Sequence, residues 1–195
     1  MKQLLNRKIA ILITVVVVIA ATLFGVHRSL SRLYRDIERM FYDGVYVEDG
    51  GYTQPGIYSH LENSMNSALG LATLLQGYPE LSGKAEDLLS ARRELLAAKS
   101  ISDKSIADYV MVKTFVDLMI AAQDVNLSER EIEASTKYHM SFCDAHAATV
   151  ASQYNSKSVE TIKKVSFLAD FIALIVPVEF PEQYNPNFVP VISLR

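Results

Sequence analysis

His139, Cys143 and His146 are the residues here whose types and spacing could do chemistry together. On a helix, positions i, i+4 and i+7 fall within about 60° of one another, so two imidazoles and a thiol would share one stripe. Those side chains ligate zinc or haem iron, which makes the stripe a candidate metal or cofactor site. The same geometry supports a plainer reading. Ile132, Phe142 and Val150 lie on that side too, so the stripe is a packing face on which a cysteine acts as a small hydrophobe. A zinc site also needs a fourth ligand, and Asp144 is turned a further ~100° around the helix. Packing is the better account, so the expectation is no metal site and no cofactor.

Other reactive groups are isolated. His60 with Glu62, and Asp103 with Asp108, read as solvated charges on helix faces. No Gly-x-Ser-x-Gly, His-Glu-x-x-His or phosphate-cradling glycine loop accompanies them. Serines are plentiful (Ser29, Ser31, Ser59, Ser64, Ser67), but none has a histidine partner by spacing, so nucleophilic catalysis has no support. No catalytic residue is expected. Cys143 is the single cysteine, which excludes an intrachain disulfide and any CxxC motif.

The elements that must position these groups begin with an apolar segment. Residues 9–26, from Ile9 through Val16 and Ala20 to Val26, contain no charge and no proline. Roughly 18 residues at ~1.5 Å each reach ~27 Å, enough for the hydrocarbon core of a bilayer. Thr14 and Thr22 can return their hydroxyls to carbonyls of the preceding turn. A cleaved signal peptide has a shorter apolar stretch and a small-x-small site. Neither fits, so an uncleaved signal anchor, spanning once and contacting membrane lipid, is expected behind a short basic N-terminus, residues 1–8. Lys2, Arg7 and Lys8 on one side face Arg28, Arg32, Arg35 and Arg39 on the other, which leaves the orientation open.

Of 19 basic and 22 acidic residues, three basic ones and no acid lie in residues 1–26, so the remainder is net acidic by six. That sign excludes the basic footprint that nucleic acid requires. The length suits one domain. Past the anchor, Leu30, Leu33, Ile37 and Met40/Phe41 repeat at three and four, which predicts one helix running from about residue 4 to 41. The stretch 43–55, rich in glycine and acidic residues, reads as a loop with a turn at Glu48-Asp49-Gly50-Gly51. Helix resumes near Gly56, breaks at Gly77-Tyr78-Pro79 and continues to about Ala98.

Ser100 to Asp103 reads as a turn and N-cap. The next helix, to about Val125, carries Ile106, Val110, Lys113/Thr114, Val116/Asp117 and Ile120 along one line, with Tyr109, Val112, Phe115 and Met119 widening its apolar side. Ser128 to Glu131 is a capping box. It opens a long helix expected to pass Tyr154 and reach Lys164, followed by an apolar piece at 167–176. Pro177, Pro181, Pro186 and Pro190 mark an irregular tail, residues 177–195. No window alternates enough for a strand. The fold class is all-α: a transmembrane helix continuing into an antiparallel bundle of about four long helices, residues 27–176.

With that layout, the chain resembles the LemA family of bacterial membrane proteins. The resemblance is carried by the anchor flowing into a helix, by Tyr78-Pro79-Glu80-Leu81, and by Ala91-Arg92 with Leu95-Leu96. It continues with Tyr154-Asn155 and Val159, apolar Phe167-Leu168-Ala169, and the stretch from Pro177 to Phe180. The chain departs from the family where a basic stretch usually opens the second helix; Tyr42-Asp43-Gly44 through Gln54-Pro55-Gly56-Ile57 stands there instead. The proline usual between the Tyr-Asn pair and the last apolar segment is missing too. The resemblance implies an anchored helical bundle, single-pass in the bacterial cell membrane, with no established enzymatic activity. The expectation is a non-enzymatic interaction or adaptor protein with a protein partner in the membrane or envelope, or a homo-oligomer. A metal or cofactor binder through His139, Cys143 and His146 is the alternative. Ten tyrosines and no tryptophan include Tyr34, Tyr42, Tyr46, Tyr52 and Tyr58 just past the anchor, expected as half-buried packing or as an interfacial belt.

Overall fold

The computed structural model describes residues 2–173 together with 184 and 185. Those residues form α1 (Lys2–Asp43), a hairpin of β1 (Val45–Val47) and β2 (Tyr52–Gln54), then α2 (Ile57–Leu75), α3 (Pro79–Ala97), α4 (Ile101–Ala122), α5 (Glu129–Val150) and α6 (Tyr154–Ala173). The all-α class with a long apolar N-terminal helix is the observed architecture. By its packing the chain divides into two compact units, one holding Met1–Glu38 and the part of α6 from Ser158, the other holding Arg39–Lys157 and Tyr184-Asn185. The division falls inside α1 and α6. The remaining tail residues and 174–176 lie outside the described residues.

In the second unit, α2 packs on α5 and α3, and α3 on α4. Each partner buries residues at three- and four-residue spacing: Leu61, Met65, Ala68, Leu71/Ala72 and Leu75 on α2, and Leu81, Ala85, Leu88, Ala91 and Leu95 on α3. The short turns α2–α3 and α3–α4 make these neighbours antiparallel. Gly70 lets α2 approach α5 closely, because an added Cβ would fall 2.3 Å from the Tyr138 ring. Rings fill the space between α4 and α5, where Phe115 stacks on Phe142 with centroids 3.9 Å apart. Arg92 Nε donates to the Met65 carbonyl at 3.0 Å, tying α3 to α2.

The ends are set by local chemistry. Pro79 opens α3 in its first turn, where a missing N–H costs nothing. The Ser100 hydroxyl accepts from the Asp103 N–H at 2.9 Å. At α5 the capping box is complete, with the Ser128 N–H donating to the Glu131 carboxylate at 2.9 Å.

Three expectations need correction. Residues 43–55 are not all loop: Val45 to Val47 pairs antiparallel with Tyr52 to Gln54, and Gly44 (φ 102°) and Gly51 (φ 65°) supply the left-handed positions. The long fourth helix is two helices. The Gln54 side chain accepts from the Gln153 N–H at 3.0 Å and donates to the Ala151 carbonyl at 3.3 Å, holding the break between α5 and α6. The buried face of α4 is also not the line through Ile106, Val110 and Ile120. Ile106 is 64% and Ile120 51% exposed, while Ala107, Asp108, Met111, Val112, Phe115, Leu118 and Met119 are buried.

Candidate functional site

The apolar segment of α1 is a chemically distinctive surface among the described residues. No residue of its uncharged window is buried, and α1 is long and apolar enough to cross a membrane. The side chains from Ile9 through Val16 to Ala20 are exposed, and Val26 is half-buried. Exposing that much aliphatic surface to water is costly at roughly 25 cal/mol per Å², and hydrocarbon removes the cost. Thr14 and Thr22 hydroxyls each donate to the carbonyl four residues back, at 2.9 Å, so neither leaves a free donor in that segment.

The His/Cys stripe does not converge. Cys143 Sγ lies 3.5 Å from His139 Nε2, and the His139 ring stacks on Phe115 with centroids 6.3 Å apart. Burial pushes the His139 imidazole down, and burial with the Asp144 charge pushes the Cys143 thiol up. Both shifts favour a neutral thiol beside a neutral imidazole, the reverse of an activated thiolate. His146 is buried and its Nε2 has no hydrogen-bond partner among the described residues. It acts electrostatically on Asp108 of α4. Among the described residues no group of three or more His, Cys, Asp or Glu could hold a metal ion.

What the fold does assemble is a polar centre around Asp108, which sequence reading placed on a solvated face. Asp108 is 3% exposed. The Tyr184 hydroxyl donates to its carboxylate. Burial pushes the Asp108 carboxyl up, opposed by the Tyr184 hydrogen bond and by His146. The Tyr184 phenol is itself pushed far up by burial and by the Asp108 charge, so it acts as a fixed donor.

Two further clamps hold this tyrosine. Asn155 Oδ1 accepts from the Tyr184 N–H at 3.1 Å, and Asn155 Nδ2 donates to the Tyr184 carbonyl. Ser105 Oγ accepts from the Asn185 N–H at 3.0 Å and donates to the Asn185 carbonyl at 3.2 Å. The ring packs against Phe41, which also meets Tyr154. Nearby, Lys104 is buried, with its Nζ donating to the Ala98 carbonyl at 2.7 Å and lying over the Tyr58 ring.

No protein-family model, curated protein or solved structure matches this chain. Its site is therefore read from its own geometry. The centre works as a lock: one side chain from the tail satisfies the acid of α4, while two helices satisfy the tail's backbone. Sequence reading missed Tyr184, Asn155 and Ser105 in this role. The available signal was Asp108 itself, an acid set between Ala107 and Met111/Val112 on the apolar side of α4. The other candidates are peripheral. His60 is half-buried with its imidazole pushed down by burial, and Glu62 and Asp103 are exposed. Tyr42, Tyr46 and Tyr52 are exposed, whereas Tyr34 is buried.

Proposed function

We propose that this chain is a single-pass protein of the bacterial cell membrane, and that its helical bundle is a non-enzymatic interaction module for another membrane or envelope component. The anchor reading is supported by the uncharged window of α1, in which no residue is buried. The interaction reading is carried by α4, whose Ile106 and Ile120 stand in solvent on a helix that also fills the core. Exposed aliphatic side chains aligned on a rigid helix favour a protein contact. Several polar groups serve the fold: buried Asp108 is matched by Tyr184, buried Lys104 by Ala98, and half-buried Arg92 by Met65. A catalytic role would leave such groups facing a substrate. The resemblance to the LemA family, on the residues quoted above, fits this reading.

Crosslinked purification of the anchored protein from native membranes, with quantitative mass spectrometry, tests it. The expected result is a stoichiometric protein partner, or a second copy of the chain, lost on Ile106→Lys. Recovery of the protein alone, or a partner indifferent to Ile106, would overturn the interaction reading.

A further inference from the structure

Tyr184 and Asn185 are held in the way a receptor holds a bound peptide. Asn155, near the start of α6, accepts from the Tyr184 N–H at 3.1 Å and donates to the Tyr184 carbonyl, so one amide brackets both backbone groups of one residue. Ser105 of α4 does the same for the next residue. Its hydroxyl accepts from the Asn185 N–H at 3.0 Å and donates to the Asn185 carbonyl at 3.2 Å. An amide and a hydroxyl each combine a donor with an acceptor, which is why these two residue types can close such brackets. Backbone groups are alike in every residue, so the brackets fix the register of a segment without reading its side chains.

Identity is read at one point. The Tyr184 side chain is buried, with its ring against Phe41 at 5.8 Å between centroids and its hydroxyl donating to buried Asp108. A phenylalanine there would fill the same space and leave the carboxylate unmatched, and a short side chain would leave a void. Asn185 is exposed, so the second residue is held by its backbone at the solvent edge of the site. The site therefore takes a tyrosine followed by one more residue of almost any type.

The receiving groups owe nothing to the tail. Asn155, Asp108 and Ser105 lie 29, 76 and 80 positions before the residues they hold, and with Phe41 they belong to one compact unit, Arg39–Lys157. That unit presents the same groups to a segment of its own chain and to one arriving from another.

We propose that these groups form a peptide-binding site, filled in cis by the chain's own Tyr184-Asn185 and in trans by the same segment of a second copy. The seated segment names that occupant, because a second copy carries the sequence that satisfies every group of the site. Exchange replaces each contact by an identical one, so it costs little beyond association itself. The tethered tail competes at the high effective concentration of an intramolecular ligand, which makes it the gate on the site. The proposal rests on the interaction reading, to which it gives a definite second-copy contact. It makes no use of Ile106, and its readout is separate from the partner loss expected of Ile106→Lys, so the two can fail apart.

The full chain in detergent micelles tests it, with a fluorescent peptide of residues 181–188 (Pro-Glu-Gln-Tyr-Asn-Pro-Asn-Phe) as the probe. Tyr184→Ala empties the site, so that chain should bind the peptide about ten-fold tighter, or more, than the wild type, whose own tail competes. A peptide with phenylalanine in place of tyrosine should bind about ten-fold more weakly, and so should a Tyr184→Ala chain that also carries Asn155→Ala. Equal binding of the two peptides would overturn the site, as would no binding to a Tyr184→Ala chain that keeps its helical circular dichroism. If Tyr184→Ala does not fold alone, refolding with the peptide decides: recovered helicity supports the site and continued unfolding overturns it. Differently tagged full chains test the occupant. Tyr184→Ala has a site and no tyrosine to offer, while Ser105→Ala/Asn155→Ala offers the tyrosine and has a weakened site. Mixed, the two should co-purify, although neither pairs with itself. Peptide binding without co-purification would overturn the second copy as the occupant.

Discussion

α1 is one helix with two kinds of surface, and Phe24 and Phe41 show the difference. Phe24 is 67% exposed and Phe41 is fully buried. From Ile9 up to Phe24 the helix carries no charge on any side, whereas from Arg28 to Phe41 apolar residues at Leu30, Leu33 and Ile37 alternate with Arg28, Arg32, Arg35 and Arg39. A helix apolar all round needs an apolar medium, and a helix with one apolar stripe needs one apolar neighbour. The pattern changes between Leu23 and Leu30, where α1 first becomes half-buried and then buried. Under the proposed function, the first half would locate the protein and the second half serve the fold.

Substitutions on the two halves should therefore separate cleanly. Phe41→Ala removes a ring packed against Tyr154 and Tyr184 and should cost about 3–5 kcal/mol of bundle stability in a urea melt. Phe24→Ala should leave that melt unchanged. Val16→Arg should do the opposite, adding about 2.5–3.5 kcal/mol to the cost of membrane insertion and moving protein out of the membrane fraction, while the bundle melts as before. A loss of bundle stability in Val16→Arg comparable with that in Phe41→Ala would erase the distinction.

The tail lock gives a third, smaller effect. Tyr184→Phe leaves the Asp108 carboxylate without its donor and should cost about 1–3 kcal/mol. Its pH dependence has a definite sign. The Asp108 carboxyl is raised by burial, so the unfolded chain gives up this proton at lower pH than the folded chain. Between the two values the folded state holds more protons, and stability falls as pH rises. Asp108→Asn should flatten that fall in melts taken upward from pH 4; an unchanged slope would show that Asp108 does not titrate in this way.

Glu131 should behave in the opposite sense. Hydrogen bonds from the Ser128 and Tyr78 hydroxyls and from the Ser128 backbone hold its carboxyl below the usual range. Its contribution is present above the unfolded pKa and is lost as pH falls through the folded one. Glu131→Gln should remove this acid-side loss, read as the wild-type minus variant difference in melts taken downward from pH 5. Ser128→Ala, which removes the cap of α5, should cost about 1 kcal/mol.

These regions were unequally legible in the sequence. The apolar stretch of α1, the helix break at Gly77 to Pro79 and the capping box at Ser128 rest on local chemistry, and local chemistry is what a sequence displays. The buried side of α4 was not readable because Ile106, Val110 and Ile120 form as good an apolar line as Met111, Phe115 and Leu118, so periodicity alone could not choose between them. The hairpin strands have three residues each, too few to alternate visibly. The break at Ala151 to Gln153 contains neither glycine nor proline and is held by Gln54, which lies 97 to 99 positions away. Asp108 reads as a surface acid until its partner is known, and Tyr184 is 76 positions distant.

The central claim is that residues 9–26 hold the intact chain in a membrane. Alkaline carbonate extraction of membranes from cells making the full-length protein, with N-terminal peptide mapping of the pellet, tests it most directly. The account predicts a carbonate-resistant chain that still carries its apolar segment, and release into the supernatant for Val16→Arg. A wild-type chain recovered in the supernatant, or one cleaved after residue 26, would contradict it.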